Sequence, residues 1–194
     1  MPPEAGQPNT SFRRTVWEWA KVIVIALAVA IPIRLFIAEP FVVNGASMDP
    51  TFSTGQFLIV DRLTYDFEKP QRGDVIVFRF PDDPSIYYIK RIIGLPGEIV
   101  VVKDGEVGVR EPGATTTVAV PQPYVSPSHA SHDDGVYPLG PSQYFVMGDN
   151  RAQSSDSRAW GPLDASLIIG RPIVRLTPLS QISFLPGSYH EPAN

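Results

Sequence analysis

The 194-residue chain contains no cysteine, which excludes disulfides and cysteine-based metal or redox chemistry. Histidine is nearly as scarce, with three in all, at 129, 132 and 190. Two of these sit in a loop-like stretch and the third near the C-terminus, so none has a dependable place beside a serine nucleophile. A Ser-His-Asp triad is therefore not expected. The run "SHASHDD" around His129 and His132 reads as a solvated loop rather than a metal cluster, because no further ligand follows at suitable spacing; neither a metal nor a cofactor is expected. Positive charge is not in excess either: a net charge of −4 and a pI near 5.3 leave no electrostatic footprint for nucleic acid. What the chain does have is 43% hydrophobic residues, enough for one globular core, with 21 prolines and 15 glycines that favour short strands and turns over a helical bundle.

A long uninterrupted apolar run is also missing. The most apolar stretch is "VWEWAKVIVIALAVAIPIRLFIA", 16–38, and its charge-free core runs only from Val22 to Ile33, short of the ~20 residues a spanning helix needs. Lys21 and Arg34 lie near the ends of that core and can snorkel to the headgroups, while Trp17 and Trp19 suit an interfacial aromatic belt. Counted over 16–38, the segment reads as one transmembrane helix, with Arg13, Arg14 and Lys21 placing 1–15 on the cytoplasmic side as a tail. A cleaved secretory signal and a buried core helix are the competing readings.

From Phe41 onward the pattern is β. "QFLIVD" (56–61), "DVIVFRF" (74–80), "YYIKRII" (87–93), "EIVVVK" (98–103), "YFVM" (144–147) and "GRPIVRL" (170–176) are short runs of β-branched and aromatic residues. Turn chemistry separates them, including Leu95-Pro96-Gly97-Glu98, with Pro then Gly at the centre of a type II turn. The expected fold class is all-β, a mainly antiparallel sheet domain over 39–187 preceded by one N-terminal transmembrane helix. Within it, 111–142 is a loop-rich insertion with one hairpin at most. The ends, 1–15 and 186–194, read as mobile tails, with 188–194 beyond the domain.

Three segments carry chemistry. In "NGASMDPTF", 44–52, Ser47 is a hydroxyl set in a turn just past the apolar segment. In "YYIKRII", alternation puts Lys90 on one face with Tyr88 and Ile92, and Arg91 on the other with Ile89 and Ile93. Burial would lower the Lys90 pKa and leave a neutral amine able to take a serine proton; a half-exposed strand lysine that stays charged is the alternative from this strand alone. The third, "GDNRAQSSDSRAWG" (148–161), gathers Asp149, Asn150, Arg151, Asp156 and Arg158 directly after a strand, a pattern that favours a turn braced by carboxylate–guanidinium pairs.

Together these segments resemble type I signal peptidase, the bacterial leader peptidase family of membrane-bound Ser/Lys proteases. The stretches that carry the resemblance are "FVVNGASMDPTF", "RGDVIVFRFP", "YYIKRIIGLPGE" and "GDNRAQSSDSRAWGPL", with "RLTPLSQISFLPG" a looser match. The resemblance implies Ser47 as nucleophile, Lys90 as general base, and Ser154 as the hydroxyl orienting that lysine. It implies Asp156–Arg158 and Asp149–Arg91 as supporting ion pairs and Tyr88 as a supporting aromatic. Phe41, Val43 and Ile89 would line shallow apolar pockets suited to Ala-x-Ala before the cut.

Two positions depart from the family pattern. Gly45 stands where some members carry a serine that helps bind the oxyanion, leaving backbone N–H groups such as that of Ser47. Asn44 replaces a proline common there. The implied function is removal of N-terminal signal peptides from exported preproteins by a monomer in the bacterial cytoplasmic membrane. It would act near the export translocon, with the catalytic domain outside. Another Ser/Lys maturation protease of the same fold, or a membrane-anchored β domain that only binds a partner, are the alternatives.

Overall fold

The computed structural model describes residues 10–32 and 38–189. The chain divides into two units, an N-terminal one ending at Ala38 and a body from Glu39 onward. Helix α1 of the first unit spans Thr10–Pro32, so residues 10–15, expected in the tail, are helical. Glu18 and Lys21 pair along it at 2.8 Å. Val22, Ile23, Val24 and Ile25 are all exposed; four consecutive residues point most of the way around a helix, so its apolar surface is not one stripe against a core. No helix among the described residues is long and apolar enough to cross a membrane. The remainder of the expected span, 33–37, lies outside the described residues, as does His190.

The body is built of antiparallel strands. In chain order they are β1 (Ala38–Val42), β2 (Phe57–Asp61), β3 (Val75–Arg79), β4 (Tyr87–Gly94), β5 (Ile99–Lys103), β6 (Glu106–Arg110), β7 (Val118–Ala119), β8 (Gly135–Pro138), β9 (Gln143–Met147), β10 (Leu163–Asp164), β11 (Ile168–Arg175) and β12 (Ser183–Phe184). One sheet runs β1-β2-β11-β3-β4-β9-β10 with β12 beside β11, and a second runs β7-β6-β5-β8. Each β run read from the sequence is a strand, and the turn at 95–98 closes as expected, with Glu98 N–H donating to Leu95 O at 3.1 Å and Gly97 at φ +84°.

The 111–142 segment differs from the expected loop with a hairpin. Its two strands do not pair with each other: β7 adds to β6 and β8 adds to β5. The β5–β6 hairpin offers two free edges, and the segment closes both, which removes unpaired backbone donors from solvent.

Strand β4 is buried on both faces from Lys90 to Gly94, while Tyr87 at its start is exposed. Ile92 belongs to a cluster with Ile76, Phe78, Tyr144, Val146 and Leu163. Its neighbour Ile93 packs on the other side with Val100, Val102, Val107, Phe145 and Met147. A stretch covered on both faces is apolar continuously rather than alternately, and the cations at 90 and 91 are carried into the interior with it. A third cluster, Val43, Met48, Phe52, Leu58 and Val75, lies around the Ser47 turn.

Candidate active site

Ser47 follows β1 in a turn opened by Gly45, whose φ of +104° lies where a side chain would strain the backbone. Thr54 fastens that turn, accepting from Gly45 N–H and donating to Gly45 O, both at 3.1 Å. Behind the serine, Met48 and Phe52 are buried anchors. From the opposite side, Asn150 N–H donates to Ser47 O at 3.1 Å and Asn150 Nδ2 to Ala46 O at 3.1 Å.

Lys90 reaches this turn from β4, at its register partner Ile76 on β3. Only 3% exposed, its Nζ donates to Ser47 Oγ at 2.7 Å and to Ile89 O at 3.0 Å, and lies 5.0 Å from the Tyr88 ring centroid. No carboxylate bonds this amine among the described residues. Burial is the largest influence on it and lowers its pKa from 10.5 to about 8, against the opposing pull of the Asp156 and Asp149 charges.

Arg91, on the other face of the strand, is held in the opposite way. Its Nε and Nη2 donate to the two oxygens of Asp149 at 2.8 and 2.6 Å, and Nη1 to Gly73 O at 2.8 Å and Gly187 O at 2.5 Å. Thr51 Oγ1 donates to Asp149 Oδ2 at 2.5 Å, and the Tyr124 ring lies 3.9 Å from the guanidinium carbon. Residues 187–189, assigned to the tail or its border, take part here: Tyr189 stacks edge-on against Tyr124 at 5.7 Å.

The second ion pair also forms. Arg158 Nε and Nη2 donate to Asp156 Oδ1 and Oδ2, each at 2.8 Å, and Asp156 Oδ2 accepts Gly148 N–H at 3.0 Å. Burial alone would raise the Asp156 pKa, but the bonds and charge of Arg158, the Gly148 N–H and the Ser154 hydroxyl together hold it below the ordinary carboxylate value. Gly148 is confined to glycine by closeness: an added Cβ would stand 2.3 Å from both Ser154 Oγ and Ser47 O.

The expected residues are thus gathered at one place, with one difference of detail. Ser154 lies beside Gly148 at the back of the Ser47 turn, but Lys90 Nζ is bonded to Ser47 and Ile89 rather than to it. Its Oγ is buried without a hydrogen bond of good geometry, close enough to Asp156 to influence that carboxylate. Phe41, Val43 and Ile89 line one cleft of about 270 Å³ with Ser47, Lys90 and Tyr88, and its wall also holds Tyr87, Gln153 and Ser155. His132 pairs with Asp104 on the surface at 2.8 Å, and no group of three metal-ligating side chains occurs among the described residues.

Sequence reading did not assign roles to Thr51, Tyr124, Asn150, Gly148, Gln153 or Ser155. Thr51, a hydroxyl four residues beyond Ser47, and Asn150, next to Asp149, stood inside the quoted motifs and could have been marked. Tyr124 could not, because nothing local ties it to Arg91.

The sequence profile described as signal peptidase, peptidase S26, matches residues 16–177. This chain belongs to that family. A signal peptidase I from Bacillus licheniformis is 33% identical over 186 residues, covering 91% of this chain and 96% of the relative. One from Leptolyngbya laminosa is 35% identical over 197 residues, covering 96% and 92%. A solved signal peptidase I from Enterococcus faecalis aligns with 54% of this chain and 97% of its own, at 30% identity and a TM-score of 0.45. The family is one of serine endopeptidases, and the expectation of such an enzyme holds.

Proposed function

We propose that the protein removes N-terminal signal peptides from exported preproteins, with Ser47 as nucleophile and Lys90 as general base. The observation that carries this reading is the 2.7 Å separation of Lys90 Nζ and Ser47 Oγ, with the amine buried and bonded to no carboxylate. In the neutral state the bond reverses, and Nζ accepts the Ser47 proton as Oγ attacks the scissile carbonyl carbon. The oxyanion is received by backbone N–H groups, including that of Ser47, since Gly45 offers no hydroxyl. Lysinium then returns the proton to the leaving amine as the C–N bond breaks, giving an acyl-enzyme and the mature N-terminus. A water, deprotonated by the same lysine, hydrolyses the ester and releases the signal peptide. Ser154, a buried hydroxyl beside the turn, is assigned to orient the amine. The Asp149–Arg91 and Asp156–Arg158 pairs hold the loop that carries it, and the Tyr88 ring lies against the amine.

Phe41, Val43 and Ile89 suit small apolar side chains before the cut, in keeping with Ala-x-Ala substrates. The apolar segment 16–38 anchors the enzyme in the cytoplasmic membrane as a monomer, N-terminus inside and catalytic domain outside, where signal-peptide junctions emerge near the translocon. The exposure of Val22 to Ile25 around α1 supports an apolar surrounding for that helix. Anchoring near the junction removes much of the search for substrate. Cleavage of a detergent-solubilised preprotein tests the reading: the wild type should release the mature chain and Ser47→Ala should not. A Ser47→Ala enzyme that still cleaves would overturn it.

A further inference from the structure

The 111–142 segment reaches the site through Arg158. That guanidinium has five N–H donors, and all five are engaged. Nε and one Nη2 hydrogen go to Asp156, and Nη2 also donates to Arg151 O at 2.8 Å. Nη1 bonds only to the 111–142 segment, to Ser131 Oγ at 2.9 Å and to Asp133 Oδ2. The Arg158 side chain is 8% exposed and that of Asp133 50% exposed, so the aspartate holds the guanidinium from the solvent side.

We propose that Asp133 is a positioning residue of the Ser47–Lys90 site: by sharing the Arg158 charge with Asp156, it sets how much negative charge the Lys90 amine faces. The route is short. Asp156 grips Gly148 N–H at 3.0 Å, and Gly148 abuts the Ser47 carbonyl so closely that no Cβ fits between them. The charged groups around Lys90 are the carboxylates Asp149 and Asp156, the first neutralised by Arg91 and the second by Arg158, with Arg151 beside Gly148 and the Tyr88 ring against the amine. Around Arg158 they are Asp133, Asp156, Arg151 and, more weakly, Tyr137. Of these, Asp133 alone is a half-exposed carboxylate contributed by the 111–142 segment to an otherwise buried pair. Without it, the guanidinium charge falls on Asp156 undivided, Lys90 faces less negative charge, and its neutral form persists to lower pH.

This inference rests on the reading of Lys90 as the base, and one experiment separates the two. The kcat/KM of the full-length enzyme in detergent on one preprotein is measured against pH for wild type, Asp133→Asn, Asp133→Ser and Asp133→Glu, with Tm recorded for each. The neutral variants should move the acid limb, near 8 in the wild type, down by about 0.3 pH unit, and Asp133→Glu should return it. A role that is only structural would lower Tm or the plateau and leave the limb where it was. A limb that stays in place or moves up in folded neutral variants overturns the proposal. A wild type with no limb in this range overturns the base assignment itself.

Discussion

Lys90 and Arg91 are adjacent on β4, 3% and 1% exposed, and the structure treats them in opposite ways. Arg91 faces a carboxylate in two parallel hydrogen bonds, two backbone carbonyls and an aromatic ring, so its charge is fully compensated. Lys90 is given a hydroxyl and one carbonyl, while the nearest carboxylates are committed to arginines. Burial with a partner makes a brace, since desolvation is repaid by the ion pair and its hydrogen bonds. Burial without one favours the neutral amine that a base must be, because desolvation is relieved by giving up the proton. The residue types matter as well: a guanidinium cannot be deprotonated in a protein, and an amine can.

The largest expected effect breaks the Lys90 side. Lys90→Arg keeps the charge but cannot serve as the proposed base, and kcat/KM on a preprotein should fall by at least about a thousand-fold. A folded and active Lys90→Arg enzyme would erase the distinction between the two cations.

Breaking the other side should show in stability. Asp149→Ala leaves the Arg91 guanidinium buried beside no carboxylate, with an expected loss of about 3–5 kcal/mol in denaturant unfolding. A loss below about 1 kcal/mol would mean that the pair does not brace the fold.

The comparison sharpens when stability is followed with pH. Lys90 has a folded pKa near 8 against 10.5 for the free side chain. Above 10.5 both states are neutral; between the two values the unfolded chain holds a proton the native state has lost; below 8 both are charged and the native state bears the cost of a buried cation. Stability contributed at this site is therefore fully present above about 10.5 and lost progressively as pH falls from there to about 8. Lys90→Met removes that cost, so at neutral pH it should be more stable than wild type by up to about 3 kcal/mol, a gap that closes on approaching 10.5. A gap that does not vary with pH would contradict the lowered pKa.

Part of this contrast was legible in the sequence, because alternation alone sends residues 90 and 91 to opposite faces; that both faces are covered was not, and a half-exposed, charged Lys90 stood as the alternative. The partners were not legible in the same way. Ser47 and Lys90 are 43 positions apart, and no spacing rule brings a turn after β1 to a strand three elements later; only the resemblance paired them. Asp133 and Tyr124 lie in the stretch that looked least structured, since their contacts are with Arg158 and Arg91 rather than with each other. The two strands of that stretch escaped a hairpin reading for a related reason: their partners are the edges of β5 and β6, which the local pattern does not contain.

A smaller effect tests the loop behind the lysine. If the Ser154 hydroxyl turns to the neutral Lys90 amine during catalysis, as proposed, Ser154→Ala should lower kcat by roughly 5–150-fold, the worth of one orienting bond. Ser155 lines the cleft, and Ser155→Ala should stay near wild type in kcat with any change confined to KM. If Ser155→Ala loses more kcat than Ser154→Ala, the roles of the two adjacent hydroxyls are exchanged.

The most direct test of the account is the pH dependence of kcat/KM for wild-type enzyme on a preprotein. A neutral Lys90 acting as base predicts a single acid limb centred near 8, with the rate falling about tenfold per pH unit below it. A rate that stays level from well above that value to well below it would contradict the central claim that a buried, carboxylate-free amine activates Ser47.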